Sequence, residues 1–217
     1  MNIRIPDRVI VFDYGEVISV SQSEADRAAL VALSGLEPEL FWRLYDRHRD
    51  DLDQGIALPH EYWTRVAHDA GVEWSPAQLQ LLWAADLRSW ISVEPGTIEL
   101  LAALHAGGTR VALLSNAGFD FSDPFRHSPM ARYFEAMFVS AELGLIKPDP
   151  EIYRVVAERL GIELAQMVFV DNKAVNVDAA VALGVTGHHF TGVAGLRAFL
   201  HELAGRAEAG ADEQQSA

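Results

Sequence analysis

The chain contains no cysteine. That excludes disulfides, thiolate metal sites and thiol nucleophiles together, so any nucleophile or metal ligand must be an oxygen or nitrogen group. Cations are scarce as well: 17 Lys and Arg stand against 31 Asp and Glu, a net charge of −14 over 217 residues. A field of that sign disfavours general nucleic-acid binding. It still allows a small anionic substrate, because local cations or a metal can reverse the sign inside a pocket. No apolar run approaches the ~20 residues of a membrane span, and residues 1–8 are polar or broken by Pro6, unlike a secretory signal. These absences predict a soluble cytoplasmic protein with neither membrane nor nucleic-acid partner, as a monomer or homodimer.

Half of the residues are hydrophobic, enough for a packed core. A first strand is predicted over 9–13. From about 22 to 90 the pattern is helical: Ser23 caps one helix, Pro59 opens another, and Ser75-Pro76 opens a third. From Val93 onward strands alternate with helices. Strands are predicted over 109–114, 134–140, 167–170 and 188–190, and helices over 97–106, 149–160, 175–183 and 193–203. That alternation means a parallel sheet covered on both faces. The expected fold is a Rossmann-like three-layer α/β core, residues 1–18 and 92–205, with an α-helical cap inserted over 19–91 and a disordered tail over 206–217. The cap would swing on linkers near residues 18–21 and 89–94.

Four segments carry chemistry. Val9-Ile10-Val11-Phe12 runs straight into Asp13, and a carboxylate pinned at a buried strand end suits a nucleophile or metal ligand. Gly15 follows where the chain must turn sharply. Ser115-Asn116 ends a second strand with a hydroxyl and a carboxamide, an anion-binding pair. Lys147 is held extended by Pro148 and can bind an oxyanion or restrain a carboxylate. Asp171-Asn172 ends a further strand, with Asn176 five positions after Asp171; an acidic group there, opposite Asp13, would suit magnesium.

In order and spacing this set resembles the haloacid dehalogenase-like hydrolases, a superfamily of mostly phosphatases, over residues 8–203. Lys147-Pro148-Asp149-Pro150-Glu151-Ile152-Tyr153 is very like the third motif of the subfamily whose helical cap follows the first motif. The resemblance implies Asp13 as nucleophile, Ser115 and Asn116 on the phosphate, and Lys147 binding the same group while steadying Asp13. It implies Mg2+ held by Asp13, the Gly15 backbone carbonyl and Asp171, with Glu16, Asn172 and Asn176 in support. The implied reaction is hydrolysis of a small phosphate monoester through an aspartyl-phosphate on Asp13.

Two places depart from the phosphatase pattern. Position 15 holds glycine where a second aspartate would serve as acid and base, help worth ~10²–10⁴ in rate. The last motif reads Asp171-Asn172, so the metal site loses a charge if the family's aspartate falls at Asn172. A halide leaves without a proton, so a metal-free 2-haloacid dehalogenase is the rival reading, with a halogenated substrate and Arg43 and Arg47 as the cap arginines at hand. A weakened, ligand-binding member is the third. Trp42, Tyr45, His48, Tyr62, Trp63, Trp83 and Trp90 are the cap residues from which one or two are expected to face the cleft.

Overall fold

A computed structural model describes residues 2–215, with side chains to residue 207. Five strands form one sheet: β1 (Val9–Phe12), β2 (Arg110–Ser115), β3 (Ala136–Val139), β4 (Met167–Asp171) and β5 (Thr186–His189). Their order is β3-β2-β1-β4-β5 and every pairing is parallel. The chain leaves β1 toward β2 on one side and later returns to β4 on the other. The carboxyl end of β1 therefore lies at the switch point where open α/β sheets bind ligands.

β1 is apolar at every position because both faces of the sheet are covered. Ile10 and Phe12 join a core with Leu100, Leu104, Leu196 and Leu200, from helices α6 (Pro95–Ala106) and α11 (Val193–Gln215). Val9 and Val11, pointing the other way, join one with Ile152 and Val156 of α9 (Pro150–Leu160) and Ala180 of α10 (Ala174–Val181).

Between β1 and α6 lie α1 (Glu24–Ser34), α2 (Pro38–Arg47), α3 (Arg49–Asp53), α4 (Pro59–Ala70) and α5 (Pro76–Trp90). Two short helices, α7 (Ser122–Arg126) and α8 (Ser140–Leu143), follow β2 and β3. The inserted helices have their own core of Leu30, Phe41, Leu44, Tyr62, Trp63 and Leu82, each large apolar side chain contributing roughly 1.5–3 kcal/mol. Ser23 and Ser75 cap α1 and α5 by accepting from the N–H groups of Asp26 and Gln78. The insertion leaves and rejoins the core through paired linkers: Ser19 bridges Val93, Val20 N–H donates to the Ser92 carbonyl at 3.0 Å, and Glu94 N–H donates to that of Ile18 at 2.8 Å.

Two expectations shift. The edge strand spans Thr186–His189 rather than 188–190; its T-G-H-H sequence carries no apolar run. The last helix continues to Gln215 instead of ending at Leu203 before a disordered tail. Residues 206–215 are rich in Ala, Glu and Gln, all good helix formers. Residues 216–217 of the expected tail lie outside the described residues.

Candidate active site

Asp13 follows β1 directly, and its N–H donates to the Val170 carbonyl of β4 at 2.8 Å. The residue is 7% exposed. Its Oδ1 accepts from Lys147 Nζ at 2.6 Å. Its Oδ2 lies on the Gly15 side, 3.9 Å from where a Cβ at position 15 would stand. Lys147, itself buried, also donates to Asp171 Oδ2 at 2.8 Å and to the Leu114 carbonyl at 3.0 Å. Its backbone is clipped by Asn116, whose Nδ2 donates to the Lys147 carbonyl and whose Oδ1 accepts from the Lys147 N–H, both at 2.9 Å. Asn116 thus uses both ends of its amide to hold Lys147 in place. Ser115, at the end of β2, lines the same cavity as Asp13 and Lys147.

Burial raises the Asp13 carboxyl to about 6; Lys147 opposes the shift and Asp171 adds to it. Burial pushes Lys147 down, but the two carboxylates more than offset it and hold its ammonium above the ordinary lysine value.

Asp171 has no surface left. Its Oδ2 accepts from Lys147 and, at 3.0 Å, from Asn176 Nδ2; its Oδ1 accepts from the Lys173 N–H at 2.7 Å. Asn176 is anchored in turn by the Tyr153 hydroxyl, which donates to its carbonyl at 2.8 Å. Asp171 is thus a partner of Lys147 and does not line the cavity, which differs from the expected place on a metal. Its neighbour Asn172 does line the cavity, with Gly15 and Glu16. Asn172 Nδ2 donates to Glu16 Oε2 at 2.7 Å, and its Oδ1 is buried without a hydrogen-bond partner. Asp171 closes β4 and Asn172 stands in the bend that follows it, and the two side chains take different partners.

The cavity, about 730 Å³, lies between the strand ends and the inserted helices. Trp42, Tyr45 and Trp90 face it, whereas Tyr62 and Trp63 are buried in the insertion's core, His48 pairs with Asp69, and Trp83 donates to Asp120 at 2.7 Å. Arg43 is exposed and Arg47 pairs with Asp69 at 3.1 Å, so neither reaches the cavity. The arginines that do are Arg27, whose guanidinium stacks 3.7 Å over Trp42, and Arg49. Arg49 donates to Asp86 at 3.0 Å, and the Tyr45 hydroxyl donates to the same carboxylate at 2.6 Å. Burial pushes that phenol far above its ordinary value, so it remains a donor. Arg27 and Arg49 carry no signal in the sequence beyond a helical spacing whose inward side cannot be told from its solvent side.

Among the described residues no three acidic or imidazole side chains cluster as a metal site. What the arrangement offers along one cavity is a restrained carboxylate, the buried cation that holds it, the hydroxyl-bearing Ser115, and an amide oxygen of Asn172 without a partner.

The chain is similar to three known proteins. Phosphoglycolate phosphatase of Salmonella paratyphi A is 35% identical over 91 residues, 42% of this chain and 36% of that protein; the chain thus matches well under half the length of that curated relative. (S)-2-haloacid dehalogenase 1 of a Pseudomonas species is 25% identical over 190 residues, 82% of each chain. A HAD-family enzyme of Bacteroides thetaiotaomicron, solved with magnesium and inorganic phosphate, superposes with a TM-score of 0.65 at 21% identity, over 83% of this chain and 92% of that one. The model of haloacid dehalogenase-like hydrolases matches residues 8–184, from just before β1 to just past α10, and the chain belongs to that family.

Proposed function

We propose that this hydrolase is a magnesium-dependent phosphatase acting on a small phosphate monoester. The observation that carries the reading is Asp13 itself, held at the cavity by buried Lys147 through one oxygen at 2.6 Å, with the other oxygen beside Gly15, which also lines the cavity. Asp13 attacks phosphorus, the ester P–O bond breaks, and the leaving alkoxide takes its proton from water, since Gly15 offers none. Water then attacks the phosphorus of the aspartyl-phosphate, releasing inorganic phosphate and restoring Asp13. Lys147 and the Ser115 hydroxyl stabilise the charge on the transferring group.

The residues present fit a divalent cation, because Asn172 Oδ1 is a buried oxygen lacking a donor. Asp13, the Gly15 carbonyl and Asn172 would hold it, with Asp171 kept for Lys147. Bound there, magnesium supplies charge to offset the repulsion between anionic nucleophile and anionic substrate. The relative solved with magnesium and phosphate supports the reading. Phosphate release from an aryl phosphate and a sugar-phosphate panel, with and without magnesium, tests it; no turnover above an Asp13→Asn control would sink it.

A haloacid dehalogenase role is favoured by Gly15 and by the dehalogenase matched over 82% of its length. Halide release from 2-chloropropionate in the presence of a chelator, without phosphatase turnover, would establish it instead. Turnover in neither assay, with ligand binding retained by Asp13→Asn, would leave a binding role.

A further inference from the structure

Glu16 has φ 57°, a backbone conformation that residues with side chains rarely adopt. Three contacts keep it there. Its N–H donates to Ser19 Oγ at 3.1 Å, its Oε1 accepts from Ser21 Oγ at 2.7 Å, and its Oε2 accepts from Asn172 Nδ2 at 2.7 Å. A carboxamide has one donor end and one acceptor end. Turning the Asn172 amide over would set its oxygen against the Glu16 carboxylate, acceptor to acceptor. The contact therefore fixes which way the amide faces, and it leaves Oδ1 buried with no donor. Carbonyl oxygens of this kind ligate hard divalent cations.

We propose that Glu16 is a positioning residue that locks the Asn172 amide with its oxygen toward a divalent cation at Asp13, so that a neutral donor serves where position 172 lacks a carboxylate. This rests on the magnesium-dependent reading above. An aspartate at 172 would present oxygen from either end and need no such lock, and Glu16 beside it would only repel. The effect of altering Glu16 thus depends on the residue at 172.

The test is Mn2+ binding followed by electron paramagnetic resonance, with Mg2+ titration calorimetry, on folded variants checked by circular dichroism. Glu16→Met, which removes the acceptor, weakens binding by about tenfold or more, the lower end for groups that orient metal ligands. Glu16→Gln, which keeps an acceptor oxygen and drops the charge, restores most of the affinity. In an Asn172→Asp background either change leaves affinity equal or tighter. Glu16→Gln as weak as Glu16→Met would mean that charge alone acts, and would overturn the proposal. So would equal affinity of Glu16→Met and the unaltered chain, or a uniform loss in both backgrounds. If Glu16→Met does not fold, Glu16→Gly, which removes the acceptor and which the positive φ favours, takes its place: weakened binding with Asn172 and equal or tighter binding with aspartate supports the proposal, and unchanged binding with Asn172 or the same loss in both backgrounds overturns it. Absence of Mn2+ and Mg2+ binding by the unaltered chain would overturn this proposal and the magnesium-dependent reading together. Binding with phosphatase turnover but no dependence on residue 16 would overturn this proposal alone.

Discussion

The Lys147 ammonium lies 2.6 Å from Asp13 and 2.8 Å from Asp171, joining the ends of β1 and β4 with one positive charge against two negative ones. The imbalance is local and buried. It keeps the lysine protonated, and burial still holds the Asp13 carboxyl above its ordinary range.

Removing the lysine should therefore cost stability as well as rate. Lys147→Met leaves two carboxylates with no counter-charge in the interior, and the expected loss is about 3–5 kcal/mol, read from urea denaturation at neutral pH. Lys147→Met combined with Asp171→Asn should recover part of that stability but none of the activity.

The raised Asp13 carboxyl sets opposite pH trends for stability and turnover. Its folded value of about 6 lies above the ordinary 3.8, so the folded state holds the proton more tightly. The stability this gives is fully present below about pH 3.8 and is lost as pH rises through about 6. Attack needs the ionised form, and a cation held at Asp13 favours that form, so kcat/KM with magnesium should climb with pH and level off below the range in which the metal-free protein loses stability. Denaturation midpoints and rates measured from pH 4 to 8 check both trends, and Asp13→Asn should remove Asp13's share of the stability trend, leaving that of Asp53 and Asp120.

Position 15 has room for the missing acid. A Cβ there meets only Asp13 Oδ2, at an ordinary 3.9 Å. Gly15→Asp should raise kcat on alkyl phosphates by up to ~10²-fold, the lower part of the range for general acid–base help. The gain on p-nitrophenyl phosphate, whose leaving group needs no proton, should be small. A gain that is equal on both substrates would refute the role assigned to that position.

Arg49 neutralises buried Asp86 from the far wall of the cavity. Arg49→Met leaves that carboxylate with the Tyr45 and Gln22 side chains alone. A loss of about 3 kcal/mol or more is expected, measured by thermal denaturation. Asp86→Asn in the same chain should relieve much of it.

How much of this was legible beforehand followed from where each signal lay. β1, β2 and β4 are unbroken apolar runs that end on Asp13, Ser115 and Asp171, so strand and site appeared together. β5 sits at the sheet's edge, where Thr186-Gly187-His188-His189 needs no apolar run. That Asp171 rather than Asn172 turns toward Lys147 was beyond a reading of the letters, because it depends on how the chain bends after β4. Asn116 lies at the cavity with Ser115, and only tertiary contact reveals that its amide also clips the Lys147 backbone.

The paired linkers between residues 18–20 and 92–94 carry a consequence for how this chain can be rebuilt. Entry and exit lie side by side, so the helical module is attached like a leaf on a double stem. A short turn spliced between Val20 and Ser92 would close the gap over the distance of a single hydrogen bond, without disturbing any strand of the sheet. The same adjacency would let a differently shaped module be grafted at that stem while Asp13 and Lys147 stay where they are.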